Sequence, residues 1–88
     1  MLIEKLSEET RLIQLAEEAA ELAQAALKII RVRHGETPVT EEQARKNLLE
    51  EIADVLVCID VLTSSADRVK IRSIKQRKKA RWEKRIND

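Results

Sequence analysis

One glycine and one proline occur in 88 residues, and they sit three positions apart, in the connector HGETPV at His34–Val39. These are the residues that most readily break or turn a backbone. A chain with almost none of them elsewhere has few places to turn. The remainder is charged for 38% of its length and apolar for 43%, with the apolar residues returning at helical intervals. That combination specifies a few long helices and excludes a disordered chain. There is one Trp and no Phe or Tyr, so Ala, Leu, Ile and Val must build any core. A core of that kind in a chain this short stabilises a lone monomer only marginally.

Helix limits follow from local signals. Ser7 is a candidate N-cap, and Glu8 and Glu9 suit the positive end of a helix that the spacing carries from about residue 8 to 33. Leu12, Leu15, Ala19, Leu22, Ala26 and Ile30 recur at three- and four-residue steps and trace one apolar face. Lys28, Arg31 and Arg33 fall in the last turns, and Gly35 ends them. Thr40 and Gln43 have the T-x-x-Q spacing of a capping box, opening a second helix over about 41–63. The polar stretch TSSAD interrupts the pattern. Ser65 or Asp67 would cap a third helix over about 67–86, with a thin apolar stripe of Val69, Ile71, Ile74, Trp82 and Ile86. No strand pattern is present. The expectation is an all-α bundle of three to four helices in a single domain, completed by oligomerisation as a homodimer or homotetramer.

Charge is divided along the chain. Residues 1–60 carry 13 acids and 7 bases, whereas residues 61–88 carry 10 bases and 3 acids. Met1–Ser7 has no signal-peptide pattern, no apolar run is long enough to span a bilayer, and the single Cys58 has no internal partner for a disulfide. A cytoplasmic protein without a membrane role is expected, with Cys58 as a small core residue.

The chemistry lies in a motif that occurs twice. Glu17-Glu18-Ala19-Ala20-Glu21 reads E-E-x-x-E, and Glu50-Glu51-Ile52-Ala53-Asp54 reads E-E-x-x-D. Residues three and four apart share a helix face, so each helix presents a carboxylate cluster at the edge of an apolar face. Asp54 is the stronger signal. It lies in IADVLVCIDVL, Ile52–Leu62, where nine of eleven residues are apolar. Clustered, desolvated carboxylates repel unless a cation lies among them. An all-oxygen donor set with no His or Cys selects a hard ion, Mg²⁺ or Mn²⁺, over zinc. A di-iron bundle would need Glu-x-x-His on two helices, and the one His is in the connector.

The paired motifs, EEAAE and EIAD within LAEEAAELAQAALKIIR and NLLEEIADVLVCIDVL, resemble the all-α nucleoside triphosphate pyrophosphohydrolase superfamily. That group includes MazG, the dimeric dUTPases, the dCTP pyrophosphatases and phosphoribosyl-ATP pyrophosphohydrolase. The text is similar to the short MazG-like proteins of phages and Gram-positive bacteria, and the likeness runs from about Leu12 to Ile86. It implies that Glu18, Glu21, Glu51 and Asp54 are Mg²⁺ ligands. Glu17 and Glu50 then stand nearby to orient a ligand or act on a water. KKARWEKRI resembles the basic stretch of the group's last helix, which implies that Lys78, Arg81 and Arg85 reach the phosphates of the substrate. The implied reaction is Mg²⁺-dependent hydrolysis of an NTP or dNTP to the monophosphate and pyrophosphate. Two departures from the group are the 29 residues between Glu21 and Glu51, toward its long end, and the lack of aromatics apart from Trp82, read as a packing residue rather than a platform for the base. Two other readings compete: a non-enzymatic helical adaptor, and a nucleic-acid binder using the bases between Arg68 and Arg85. The acidic remainder opposes the second.

Overall fold

The computed structural model describes residues 6–88; the stretch read for a signal peptide, Met1–Ser7, lies mostly outside them. Three helices follow one another: α1 (Glu8–Arg33), α2 (Glu41–Leu62) and α3 (Ser65–Asn87). No strand occurs among the described residues, so the chain is all-α.

The helix ends are set by local chemistry. The Ser7 hydroxyl accepts from the Thr10 N–H (3.1 Å) and opens α1. At its other end Gly35 takes φ +71°, which only glycine adopts without strain. The Glu36 and Gly35 N–H groups then return to the carbonyls of Arg31 and Val32 (2.9 and 3.0 Å), a Schellman closure. The expected capping box opens α2, with Gln43 N–H to Thr40 Oγ1 and Thr40 N–H to Gln43 Oε1, both 3.1 Å. The cap of α3 is Ser64, one residue before Ser65 and three before Asp67, the two expected caps. Asp67 is its reciprocal partner three residues on.

Only α1 and α2 pack along their lengths, as an antiparallel hairpin. Arg11 Nη1 donates to the Val61 carbonyl (2.9 Å), tying the start of α1 to the end of α2. At the other end Arg33 pairs with Glu41. The seam between them repeats by heptads. Arg11, Leu15, Glu18, Leu22, Ala25 and Ile29 face Ala44, Leu48, Glu51, Val55, Cys58 and Leu62, and all twelve are buried or half-buried. The α1 face expected from the sequence mixes two stripes. Leu15 and Leu22 belong to the seam, whereas Leu12, Ala19, Ala26 and Ile30 lie beside it and are exposed.

In an antiparallel pair, the positions that follow the seam fall on one side of the hairpin and those that precede it fall on the other. One side is therefore mainly apolar: Leu12, Ala16, Ala19, Ala23, Ala26 and Ile30 on α1, with Leu49, Ile52, Leu56 and Ile59 on α2, and Arg45 near its end. The other side is polar and carries Glu17, Glu21, Glu50 and Asp54. Among the described residues the apolar side has no partner, and Leu56 is 54% exposed. Among the described residues the buried apolar ones are Ala25, Ile29 and Ala44.

α3 stands apart from the hairpin, so a single chain does not close the expected bundle. Every residue of α3 is exposed, including Trp82 at 63%. Trp82 thus lacks the packing role expected of it within one chain. The two-residue link Thr63–Ser64 is extended and pinned by Arg68, which donates to the Thr63 carbonyl (3.0 Å) and the Ser65 hydroxyl (3.2 Å).

Candidate metal centre

The antiparallel packing of α1 on α2 brings Glu18 and Asp54 to the edge of one hollow. Glu51 lies one turn from Asp54 on the same helix; Glu51 is half-buried, whereas Asp54 is exposed on the open side of the hairpin and is not the desolvated carboxylate its apolar surroundings suggested. Glu18, Glu51 and Asp54 each offer a carboxylate oxygen, and these oxygens lie within 4.8 Å of one another. Two oxygens on one Mg²⁺ lie at most about 4.2 Å apart. A small rotation of the side chains would therefore close the set around an ion.

The donor chemistry of the three acids fits such an ion. Glu18 Oε1 accepts from Gln14 Nε2 (3.1 Å). Its Oε2 is sequestered with no hydrogen-bond partner, and so is Oε2 of Glu51. A sequestered carboxylate oxygen without a donor loses its hydration and gains nothing in return. Desolvation is the main reason the Glu18 carboxyl is held above its ordinary pKa, and the charges of Glu21 and Asp54 add to it. Burial likewise raises the Cys58 thiol, with the Glu18 and Asp54 charges contributing, so Cys58 keeps its proton at neutral pH.

The other expected site residues lie around this trio. Glu21 is exposed and outside the three-acid set, although close enough to act on Glu18. With Gln24, Lys28, Arg31, Asn47 and Glu51 it lines a second hollow farther along the polar side. Glu17 and Glu50 are exposed and line neither hollow. Lys78, Arg81 and Arg85 do come together, around a concavity on α3 that they share with Trp82, Lys84 and Asp88. None of the three lines a hollow that contains Glu18, Glu21, Glu51 or Asp54.

Arg11 is the residue that the sequence reading passed over. It lines a hollow of about 360 Å³ together with Leu6, Gln14, Glu18, Asp54, Val57, Cys58 and Val61. Its signal was its spacing, four residues before Leu15 and seven before Glu18, which puts a cation on the seam.

Among the described residues no helix is long and apolar enough to cross a membrane. Comparison of the chain with protein-family models, with curated proteins and with solved structures finds no match.

Proposed function

We propose that the chain is a Mg²⁺-dependent nucleoside triphosphate pyrophosphohydrolase, converting an NTP or dNTP to the monophosphate and pyrophosphate in the cytoplasmic nucleotide pool. The observation that carries this reading is the meeting of Glu18, Glu51 and Asp54 with two carboxylate oxygens left unpartnered. The likeness of EEAAE and EIAD to the pyrophosphohydrolase motifs supplies the reaction.

In this reading Glu18, Glu51 and Asp54 would hold Mg²⁺ (or Mn²⁺), with Glu21 on the adjacent turn as a fourth ligand. Bound there, the ion would neutralise phosphate charge and make a water more acidic. Glu17 and Glu50, exposed beside the cluster, would orient an attacking water or take its proton. Lys78, Arg81 and Arg85 neutralise the pyrophosphate as it leaves. Because α3 carries these cations away from the acids of its own chain, they serve the acids of a neighbouring copy. The homo-oligomer, a dimer or a tetramer of such dimers, forms by stacking the apolar sides of two hairpins. That leaves the acidic sides open to substrate.

One observation favours a second reading: α3 is exposed along its length and carries ten bases against two acids. A nucleic-acid binder would show an affinity that falls steeply with salt. The direct test of the hydrolase is a panel of NTPs and dNTPs with Mg²⁺, assayed for pyrophosphate. Release from at least one nucleotide, abolished in Asp54→Asn, is the expected result. No release from any of them by the assembled protein defeats the proposal.

A further inference from the structure

We propose that Arg11 is the phosphate anchor of the hollow beside the acid cluster, binding an oxygen of a di- or triphosphate through its guanidinium. The inference rests on the metal-site reading above and adds to it a cation from α1.

Arg11 is a half-buried cation on the helix seam. Its Nη1 satisfies the Val61 carbonyl, one of the last carbonyls of α2, which have no partner within their own helix. That contact uses one of the five N–H donors of a guanidinium. Nε is sequestered with no partner. Among the described residues the ion pairs are Arg33 with Glu41 and His34 with Glu36, so none of the described carboxylates lies within ion-pair distance of Arg11. Glu18 and Asp54 line the same hollow yet leave it unpaired. A half-buried, unneutralised charge is costly, and an anion removes that cost.

The hollow limits which anion. Its volume of about 360 Å³ lies within the range of small-molecule sites. Arg11 and Glu18 are seven residues apart on one helix, about 10 Å along its axis. A ligand that satisfies both ends needs one anionic group for the guanidinium and another for an ion held by the acids. A di- or triphosphate has both, and its oxygens match the guanidinium fork. Val57, Val61 and Leu6 give the hollow an apolar wall, which suits the uncharged part of such a ligand.

Titration calorimetry of the full chain with inorganic pyrophosphate, with and without Mg²⁺, tests the proposal. Wild-type protein is expected to bind pyrophosphate when Mg²⁺ is present. Arg11→Gln is expected to weaken that binding by about tenfold or more. Its Mg²⁺-induced rise in melting temperature should stay at the wild-type size. Arg11→Lys keeps the charge without the fork and should fall between the two. Equal pyrophosphate affinity in all three proteins overturns the assignment, as does a wild-type chain that takes up no pyrophosphate with Mg²⁺. Loss of the Mg²⁺ response in both variants also overturns it, since Arg11 would then only hold the helices together. If no nucleotide is hydrolysed, the hydrolase reading falls while these titrations still decide Arg11.

Discussion

Glu18 occupies a seam position that a leucine or alanine would fill better if folding were the only demand. Its neighbours on the seam, Leu15 and Leu22, are apolar, and its Oε2 is sequestered without a donor. Desolvation, with Glu21 and Asp54 adding to it, holds its carboxyl above the ordinary pKa of 4.5. The folded state therefore binds this proton more tightly than the unfolded state. The group's contribution to stability declines as pH rises from 4.5 through the raised value and stays unfavourable at neutral pH. Removing the charge should help the empty protein and harm the loaded one. Glu18→Gln should raise the melting temperature without metal. Wild-type protein in Mg²⁺ at a hundred times its Kd should gain on the order of 10 °C. Glu18→Gln should gain none. A thermal melt of both proteins with and without Mg²⁺ reads both effects, and an equal Mg²⁺ response in the two defeats the metal assignment.

At the scale of the helix, what was legible in the sequence was whatever short-range chemistry decides. Gly35, the Thr40–Gln43 box and the acid pairs could be read because each works within one or two turns. The seam could not. α1 is apolar on two adjacent stripes, and only the packing of α2 against it, with contacts such as Arg11 to Val61 fifty residues apart, decides which stripe becomes the seam. The same register separates Glu18, which turns inward, from Glu21, which does not. Arg11 was missed because a cation near a helix start looks like solvated surface until its partner helix is in place. α3, lacking tertiary support, depends on its cap more than the other helices do. Asp67 accepts from the Ser64 backbone N–H and interacts with its hydroxyl, which together hold its carboxyl below the ordinary 3.8. A lowered acid contributes stability that is complete above its unfolded value and is lost as pH falls through the folded one. Far-UV circular dichroism should show the first turn of α3, about four residues, fraying below pH 3.8. Asp67→Asn should lack that step, and identical acid titrations in the two proteins would refute the role given to the box.

The whole molecule exposes more surface than a monomer should. A folded chain of 10.1 kDa is expected to expose about 5,300 Å², and this one exposes 7355 Å². Its radius of gyration is 16.4 Å, against about 12 Å for a compact chain of this length. An excess of this size on each of two chains matches the area that obligate dimers bury. The apolar side of the hairpin is the surface to cover, and Leu56 lies on it. Leu56→Glu should shift the sedimenting species from dimer to monomer and lower the melting temperature, whereas a wild-type chain that sediments as a monomer at all concentrations would rule the dimer out. Exchange of α3 between copies makes a sharper prediction. Asp54→Asn inactivates the acids, and Arg81→Gln with Arg85→Gln inactivates the arm, so each protein alone should be inactive. If the cations of one chain serve the acids of the other, unfolding the two together and refolding them creates mixed dimers with one intact site each. Random pairing then restores about one quarter of wild-type activity. If each chain's cations serve its own acids, every site in the mixture stays broken and no activity returns. Recovery near one quarter therefore supports exchange between chains, and none at all places Lys78, Arg81 and Arg85 over the acids of their own chain.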